Sequence, residues 1–164
     1  MSNGGKAAFI ILGTGDPTLH TILTELNSKY KGFIAIALEY NEQLAHQLYA
    51  GSDFIWMPSR VEPCGLNQLY AMRYGTIPIV RATGGLKDTI IDIAHPNGSG
   101  IQFSQLIVSD TTHAIQRAVS LYQKEKAFTV VRKAIMNLNF SWEKSAEDYF
   151  SLYKEIARFY DIED

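Results

Sequence analysis

The chain has 164 residues, of which 46% are hydrophobic and 20% charged, an ordinary composition for a globular protein with a core of its own. Its net charge of −2 gives no electrostatic footprint for nucleic acid, and no apolar stretch is long enough to span a membrane. The single cysteine, Cys64, excludes an internal disulfide and favours a reducing compartment. Residues 1–5 are polar and glycine-containing, and we interpret them as a flexible leader without a secretory signal.

Short apolar runs alternate with helical patterns along the chain. The apolar runs predict five strands, at residues 8–12, 33–38, 54–57, 76–80 and 100–103. The helical patterns predict six helices, at residues 17–30, 42–51, 66–74, 111–123, 126–137 and 141–160. Because the strands are continuously apolar and alternate with helices, we expect an α/β fold with a parallel sheet covered by helices on both faces. No repeat and no second domain is visible, so residues 6–164 are expected to form a single domain.

Three local features refine this pattern. Asp16 stands directly before Pro17 and suits the N-cap of the first helix. Pro78 lies inside the fourth strand and has no N–H to donate, so the pairing around it must accommodate the missing donor. Gly84 and Gly85 follow that strand and are predicted to open a turn.

The last predicted helix carries a broad aromatic stripe, and Ser141 suits its N-cap. The residues of the stripe recur at helical spacing: Trp142, Tyr149, Phe150, Tyr153, Ile156 and Tyr160. Such stripes usually pack into a core, which is the interpretation that we favour. The alternative is a helix that docks on something outside this chain.

The loops that follow the strands are candidates for one ligand site. In an open α/β sheet these loops meet at a crevice at the carboxyl ends of the strands, where ligands bind. They contribute Gly13-Thr14-Gly15, Tyr40, residues 60–66 and Thr83-Gly84-Gly85-Leu86. Glycines let a backbone approach a ligand closely, and an aromatic ring such as that of Tyr40 can stack on a base. The convergence predicts a nucleotide site.

Residues 58–70 are the most informative segment. The pattern is a strand, a sharp turn and a helix start, which aims backbone N–H groups and a partial positive charge at one point and suits a phosphate. Glu62 stands beside that point, between Arg60 and Pro63, where packing explains a carboxylate poorly. An anion site with an adjacent hydrogen-bond acceptor is what an enzyme handling a sugar nucleotide needs.

Most of the other candidates also have a purely structural explanation. Gly13 and Gly15 suit a tight turn, and they lack the third glycine of the dinucleotide fingerprint, so NAD is not expected. Gly84-Gly85 suits a turn as well as a phosphate cradle. Cys64 suits a small buried hydrophobe better than a nucleophile, and Tyr40 suits a half-buried strand end. The four histidines lack metal-ligand spacing, so no metal site is expected: His20, His46, His95 and His113.

Residues 58–66, 70–78 and 81–89 closely resemble the bacterial glycogen synthases and plant starch synthases, which use ADP-glucose, and the resemblance extends from about residue 8 to about residue 160. It implies the GT-B fold, two Rossmann-like domains that face a cleft. This chain resembles most of the C-terminal, donor-binding domain without its first strand. The resemblance implies retaining transfer of glucose from ADP-glucose to the non-reducing end of an α-1,4-glucan. It implies no metal and no cofactor, since ADP-glucose is a substrate. It also implies a location in the cytoplasm of a bacterium or in the plastid stroma of a plant.

The resemblance also assigns roles to residues. Glu62 corresponds to the motif glutamate that hydrogen-bonds the donor glucose hydroxyls, and we take it as the catalytic candidate. The backbone amides of Cys64, Gly65 and Leu66 approach the glucose and distal phosphate. Tyr40 lies where the family places an aromatic against adenine. Thr83, Gly84 and Gly85 match the family's loop on the phosphate and glucose side. Gly13 and Gly15 match its nucleotide-binding loop after the second strand of this domain.

The chain departs from the family at three positions. Val61 replaces a common phenylalanine, Asn67 a usual threonine and Ala82 a frequent arginine, while Tyr70 stands at the second glutamate of the broader E-x7-E pattern, as is usual in this family. Two cation-bearing motifs of the family, one in the N-terminal domain and one after the first C-terminal strand, have no match. The first of these motifs closes the site from the N-terminal domain, and the two cations of the second neutralise the leaving diphosphate, so we expect the chain alone to be inactive. The missing strand would expose an edge and favour self-association.

Two other functions stay open. One is a two-domain glycosyltransferase that uses a UDP- or GDP-sugar. The motif Glu62-Pro63-Cys64-Gly65-Leu66 disfavours it. The other is a non-catalytic module that binds glucan or a partner protein through the last helix.

Overall fold

The computed structural model describes residues 7–159. The chain divides into two compact units, one that ends at Leu48 and one that begins at Tyr49. The predicted leader, residues 1–5, and Tyr160 of the aromatic stripe lie outside the described residues. The single domain expected over residues 6–164 stays a prediction.

The first unit contains a two-stranded parallel sheet. Strand β1 (Phe9–Leu12) pairs with β2 (Ile34–Ala37), and helix α1 (Pro17–Lys29) connects them. Helix α2 (Glu42–Gly51) follows β2 and contains the boundary between the units. Asp16 caps α1 as predicted, since its carboxylate accepts a hydrogen bond of 2.7 Å from the Thr18 N–H.

The second unit contains a three-stranded parallel sheet with β4 in the middle, flanked by β3 and β5. Its strands are β3 (Phe54–Met57), β4 (Ile77–Arg81) and β5 (Ile101–Phe103). Its helices are α3 (Asn67–Arg73), α4 (Gly84–Thr89), α5 (Val108–Tyr122), α6 (Glu125–Met136) and α7 (Trp142–Phe159). The α/β class and the parallel pairing predicted from continuous apolar runs are therefore confirmed.

The core of the second unit lies on both sides of β4. One cluster of buried residues contains Ile77 and Val80 together with apolar residues of α3, α4 and α6. The other contains Ile79 with Ala114 and Ala118 of α5. Because both faces of β4 are covered, every side chain from Ile77 to Val80 is buried.

Pro78 sits in this central strand without breaking the sheet. The preceding Ile77 N–H donates to the Asp53 carbonyl on the β3 side, and successive residues of a strand alternate sides, so the Pro78 nitrogen faces β5. Pairing with β5 begins only at the next residue, where Ile79 lies opposite Ile101. The missing donor thus falls just before the ladder, which is the accommodation that the sequence required.

Gly84 and Gly85 begin helix α4, so the prediction of a simple turn there is wrong. Thr83 is extended and its carbonyl accepts hydrogen bonds from the Leu86 and Lys87 N–H groups. Leu86 and Ile90 lie four residues apart and are 0% and 2% exposed. Burial of this apolar pair overrides the low helix propensity of glycine.

The aromatic stripe of α7 is exposed, so the expectation that it packs into the core is wrong for the described residues. Trp142 is 85% exposed, and Phe150 and Tyr153 are 60% and 61% exposed. No described residue of α7 is buried. Helical spacing shows that a face is apolar, but it does not show what covers that face. Among residues 7–159 no helix combines the length and apolar character that crossing a membrane requires.

Candidate functional site

Glu62 lies in the loop that joins β3 to α3. Its side chain is partly exposed, and its Oε2 atom accepts a hydrogen bond of 3.2 Å from the Ser59 hydroxyl. The carboxylate is therefore neither sealed in the core nor without support. A ligand can reach it from solvent.

Arg81, at the end of β4, holds the start of this loop. Its Nη1 atom donates to the carbonyl oxygens of Arg60 at 2.7 Å and Ser59 at 3.3 Å. Its Nε atom donates at 3.3 Å to the carbonyl of Ser104, just beyond β5. One guanidinium at the end of β4 thus ties together the segments that follow β3 and β5.

The Glu62 loop and the start of α4 touch backbone to backbone. The Gly85 N–H donates a hydrogen bond of 3.1 Å to the Glu62 carbonyl. A Cβ atom at Gly84 would overlap the Glu62 carbonyl oxygen, and one at Gly85 would overlap that of Cys64. Only glycine permits this approach, so both residues have a structural reason to be glycine. The structure therefore brings together two predicted site segments that are some twenty residues apart in the chain.

The turn from Cys64 to Leu66 presents its backbone outward. Within the part of the chain that the structure describes, the N–H groups of Cys64, Gly65 and Leu66 donate no hydrogen bond. Leu66 is 57% exposed, and Cys64 is exposed rather than buried as a small hydrophobe. Gly65 has a φ of 73°, in the left-handed region that favours glycine. These amides are available to an anionic ligand.

Gly13, Gly15 and Tyr40 belong to the first unit. The Gly13 N–H donates at 3.1 Å to the carbonyl of Ala37, the last residue of β2, so the loops after β1 and β2 lie side by side. A Cβ atom at either glycine would meet no atom within 4 Å. Tyr40 is 85% exposed, so its interpretation as a half-buried strand end is wrong. The part that these residues play in nucleotide binding stays a prediction.

Tyr70, at the position of the second glutamate in the E-x7-E pattern, takes part in an aromatic pair. Its ring centroid lies 6.1 Å from that of Tyr49. Burial raises the pKa of the Tyr49 phenol, and the neighbouring Tyr70 adds to the rise. A tyrosine ring therefore stands where related patterns place a carboxylate. Among residues 7–159 no cluster of His, Cys, Asp or Glu side chains is suited to hold a metal ion.

Sequence reasoning missed Gln68 as a part of this site. Gln68 is 0% exposed, and its Nε2 atom donates to the carbonyls of Cys64 at 3.2 Å and Gly65 at 2.9 Å. The same atom donates to the Thr89 hydroxyl of α4 at 3.2 Å. A signal was present: Gln68 shares the buried i, i+3, i+4 face of α3 with Ala71 and Met72, where a polar residue is unexpected.

Comparison with known proteins agrees with the resemblance. Residues 4–130 match the sequence profile of the family described as glycosyl transferases group 1. A glycogen synthase of Flavobacterium johnsoniae is 51% identical over 149 residues, which cover 91% of this chain and 31% of that protein. A glycogen synthase of Thioalkalivibrio sulfidiphilus is 43% identical over 158 residues, covering 93% and 33%. The chain spans about a third of the length of these curated relatives.

Solved structures agree as well. The catalytic domain of starch synthase IV from Arabidopsis thaliana, solved with ADP and acarbose, superposes with a TM-score of 0.78 at 29% identity. The match covers 94% of this chain and 39% of that chain. A glycosyltransferase from Rickettsia africae superposes with a TM-score of 0.65 at 19% identity over 95% of this chain and 48% of that one, which shows the fold alone. The resemblance predicted from residues 58–89 is confirmed.

Proposed function

Because the chain belongs to the group 1 glycosyl transferases, we propose that it forms the donor-binding part of a retaining glucosyltransferase. The reaction that we propose moves glucose from ADP-glucose to the non-reducing end of an α-1,4-glucan. The observation that carries the proposal is the backbone contact between the Glu62 loop and Gly84-Gly85. It joins the two motif segments of the resemblance around a reachable carboxylate and a row of available amides.

Glu62 has a donor-orienting role in this proposal. Its partly exposed carboxylate accepts hydrogen bonds from the glucose hydroxyls, while the Ser59 hydroxyl donates to its Oε2 atom. Hydrogen bonds to a charged group contribute about 1.5–3 kcal/mol, enough to fix the orientation of a sugar. Glucose held in this way presents its anomeric carbon to the acceptor.

The amides of Cys64, Gly65 and Leu66 bind the distal phosphate, whose negative charge grows as the glycosidic bond to the nucleotide breaks. Donors placed where charge develops are worth about 10²–10³ in rate each, since they need no reorganisation during the reaction. We extend the proposal to Thr83 on the phosphate side, to Tyr40 against adenine, and to Gly13 and Gly15 in the nucleotide loop.

The whole protein has further parts in this proposal. The chain spans about a third of the length of its relatives. We propose that a second domain closes the cleft and that a motif after the first strand of the donor-binding domain supplies the two cations for the leaving diphosphate. The chain alone is then inactive. We propose that neither a metal nor a cofactor is needed. A bacterial cytoplasm is the setting that we propose, because the curated relatives cited are bacterial glycogen synthases.

The donor is ADP-glucose rather than UDP-glucose in this proposal. Support comes from the 51% identity to a glycogen synthase and from the likeness to a starch synthase solved with ADP. In the full-length protein, incorporation of labelled glucose into maltooligosaccharide is measured with ADP-glucose and UDP-glucose in parallel. Faster transfer from UDP-glucose would reject the donor, and no transfer from any nucleotide glucose would reject the function. Binding of maltooligosaccharide without binding of ADP would support a non-catalytic module instead.

Glu62→Gln tests the site directly. We expect kcat/KM for ADP-glucose to fall by about 100-fold or more, since the substitution removes the charge that the sugar hydroxyls meet. The matched control is Glu25→Gln, an exposed position on α1, which leaves activity unchanged. Wild-type activity in the Glu62 variant would exclude it from the site.

A further inference from the structure

Gln68 is buried more completely than its chemistry explains. It is 0% exposed, and its Oε1 atom is buried with no hydrogen-bond partner among the described residues. An unpaired buried acceptor destabilises a fold, so an apolar residue would suit this position on α3 better if stability were all that mattered. The contribution of Gln68 therefore lies in what its nitrogen atom holds.

The nitrogen atom of Gln68 holds two consecutive peptide groups of the Glu62 loop. It donates to the carbonyl oxygen of Cys64 at 3.2 Å and to that of Gly65 at 2.9 Å. In a planar trans peptide the N–H points away from the C=O of the same group. Because both carbonyls point inward to Gln68, the N–H groups of Gly65 and Leu66 point outward, where they donate to no described residue.

The same side chain links the loop to α4. Gln68 donates to the Thr89 hydroxyl at 3.2 Å, and that hydroxyl donates to the Gly85 carbonyl at 2.6 Å. The Gly85 N–H in turn donates to the Glu62 carbonyl at 3.1 Å. These hydrogen bonds connect the two motif segments through a polar network inside the second unit, with Gln68 at its centre.

We propose that Gln68 is a positioning residue that aims the Gly65 and Leu66 N–H groups at the distal phosphate of the donor. The proposal rests on the function proposed above for the phosphate-binding turn. Gln68 itself touches no substrate; it acts through the two peptide groups whose carbonyls it binds. Thr89 is its third partner and couples the turn to Gly85.

Gln68→Met tests this role in the full-length protein, because methionine has a similar length and lacks the donor nitrogen. We expect kcat with the nucleotide-glucose donor to fall by about 10- to 100-fold while KM changes by less than about threefold. The reason is that amides that point elsewhere no longer stabilise the negative charge that develops on the phosphate in the transition state. Thr89→Val is expected to lower kcat by about threefold to tenfold, and Thr89→Ser, which keeps the hydroxyl, to restore it.

The control for a merely structural effect is Ile135→Val in α6, a buried residue of the same core. It lowers thermal stability and leaves kcat at the wild-type value. A Gln68→Met protein that is folded and retains kcat within twofold of wild type would overturn the proposal. The proposal would also be overturned if kcat fell in both the Gln68→Met and the Ile135→Val proteins in proportion to their loss of stability.

Hydrogen exchange separates this proposal from the proposed function. In Gln68→Met the Gly85 N–H, which is bonded to the Glu62 carbonyl, is expected to exchange about tenfold faster, while the amides of β4 keep their rates. Unchanged exchange at Gly85 would overturn the positioning role even if the enzyme transfers glucose. A wild-type protein that transfers glucose from no nucleotide donor would reject the proposed function, and exchange at Gly85 would still decide whether Gln68 holds the loop to α4.

Discussion

The two units of the chain differ in how much interior they have. In the first unit no described residue is buried, and apolar side chains such as Ile10 and Ile22 are 55% and 47% exposed. In the second unit both faces of β4 are covered, and Ile77, Val80 and Leu86 are fully buried. A two-stranded sheet with little buried surface is marginal in water, whereas three strands packed between helices support themselves.

This difference teaches which of the predicted site residues the chain can preorganise. Glu62, the amides of the turn and Gly84-Gly85 stand on the unit with a core, and hydrogen bonds from Arg81 and Gln68 hold them. Gly13, Gly15 and Tyr40 stand on the unit without one. Local stability follows buried contacts, so we expect the loops of the first unit to open more readily than those of the second unit.

The largest effect is expected from one methyl group at Gly85. Gly85→Ala places a Cβ on the carbonyl oxygen of Cys64, where neither backbone can yield, and we expect a loss of about 3 kcal/mol in the free energy of unfolding. Gly15→Ala in the first unit meets nothing within 4 Å and is expected to change stability by less than about 1 kcal/mol. Urea denaturation measures both, and equal shifts would contradict the contrast.

The next effect concerns Asp92, which precedes β5 in the chain and forms hydrogen bonds with both β5 and α5. Its Oδ2 atom accepts hydrogen bonds from Arg117 Nη1 at 3.0 Å and from the Gln102 N–H at 2.8 Å. Burial opposes the charged form of Asp92, but the hydrogen bond from Arg117 and those from the Gln102 and Ala94 N–H groups outweigh it and hold its pKa below the usual value.

A lowered carboxylate pKa contributes stability that is present above the unfolded pKa, about 3.9, and is lost as the pH falls through the folded pKa. Asp92→Asn is therefore expected to cost about 2 kcal/mol of unfolding free energy at pH 7 and progressively less below about pH 4. Denaturation curves at several pH values test this. Asp148→Asn, in an exposed pair with Lys144, is the control and should show little loss at any pH. A loss at Asp92 that does not depend on pH would contradict the assignment.

A smaller effect is expected from Thr76, which is 0% exposed and donates a hydrogen bond of 2.9 Å to the Ser52 carbonyl. Thr76→Val keeps the shape and removes the donor, which should lower the free energy of unfolding by about 1 kcal/mol. Thr24→Val removes the exposed bond of 2.8 Å from the Thr24 hydroxyl to the His20 carbonyl in the first unit, and stability should stay within about 0.5 kcal/mol. Chemical denaturation of both variants compares the units again.

The smallest effect on stability is expected at the exposed aromatic face of α7. Replacing Trp142 and Phe150 together by glutamine should leave the free energy of unfolding within about 0.5 kcal/mol, since both rings are largely exposed. The exposed apolar surface of the isolated chain favours self-association, which this double substitution should reduce. Light scattering at high concentration measures it. A wild-type chain that stays monomeric would contradict the prediction.

The sequence was a good guide to the strands. Each apolar run located its strand to within one residue at either end, for example 76–80 against Ile77–Arg81, because continuous burial on both faces leaves a clear pattern. Helix α4 was missed because only the tertiary burial of Leu86 and Ile90 makes a Gly-Gly start helical. The stripe of α7 was seen, but its exposure depends on neighbours that its own residues do not specify.

The candidate site also contains features that the sequence pattern predicted and features that depend on tertiary contacts. The rule that loops meet at the carboxyl ends of parallel strands predicted that residues 60–66 and Thr83-Gly84-Gly85 lie together, and they do. Gln68 was missed because its partner on α4, Thr89, is 21 residues away and no periodicity links the two. Backbone positions could be predicted from pattern, whereas side-chain hydrogen bonds across the fold could not.

Pro78 has a consequence for how β4 can slide. If β4 moved along β5 so that Pro78 entered the ladder, a ring would stand where a donor is needed, and the displaced alignment would be penalised. The proline therefore helps to fix the register of β4 against β5. The same register fixes the position of Arg81, three residues further along β4. It thereby keeps the guanidinium within hydrogen-bond distance of the carbonyls of Ser59 and Arg60.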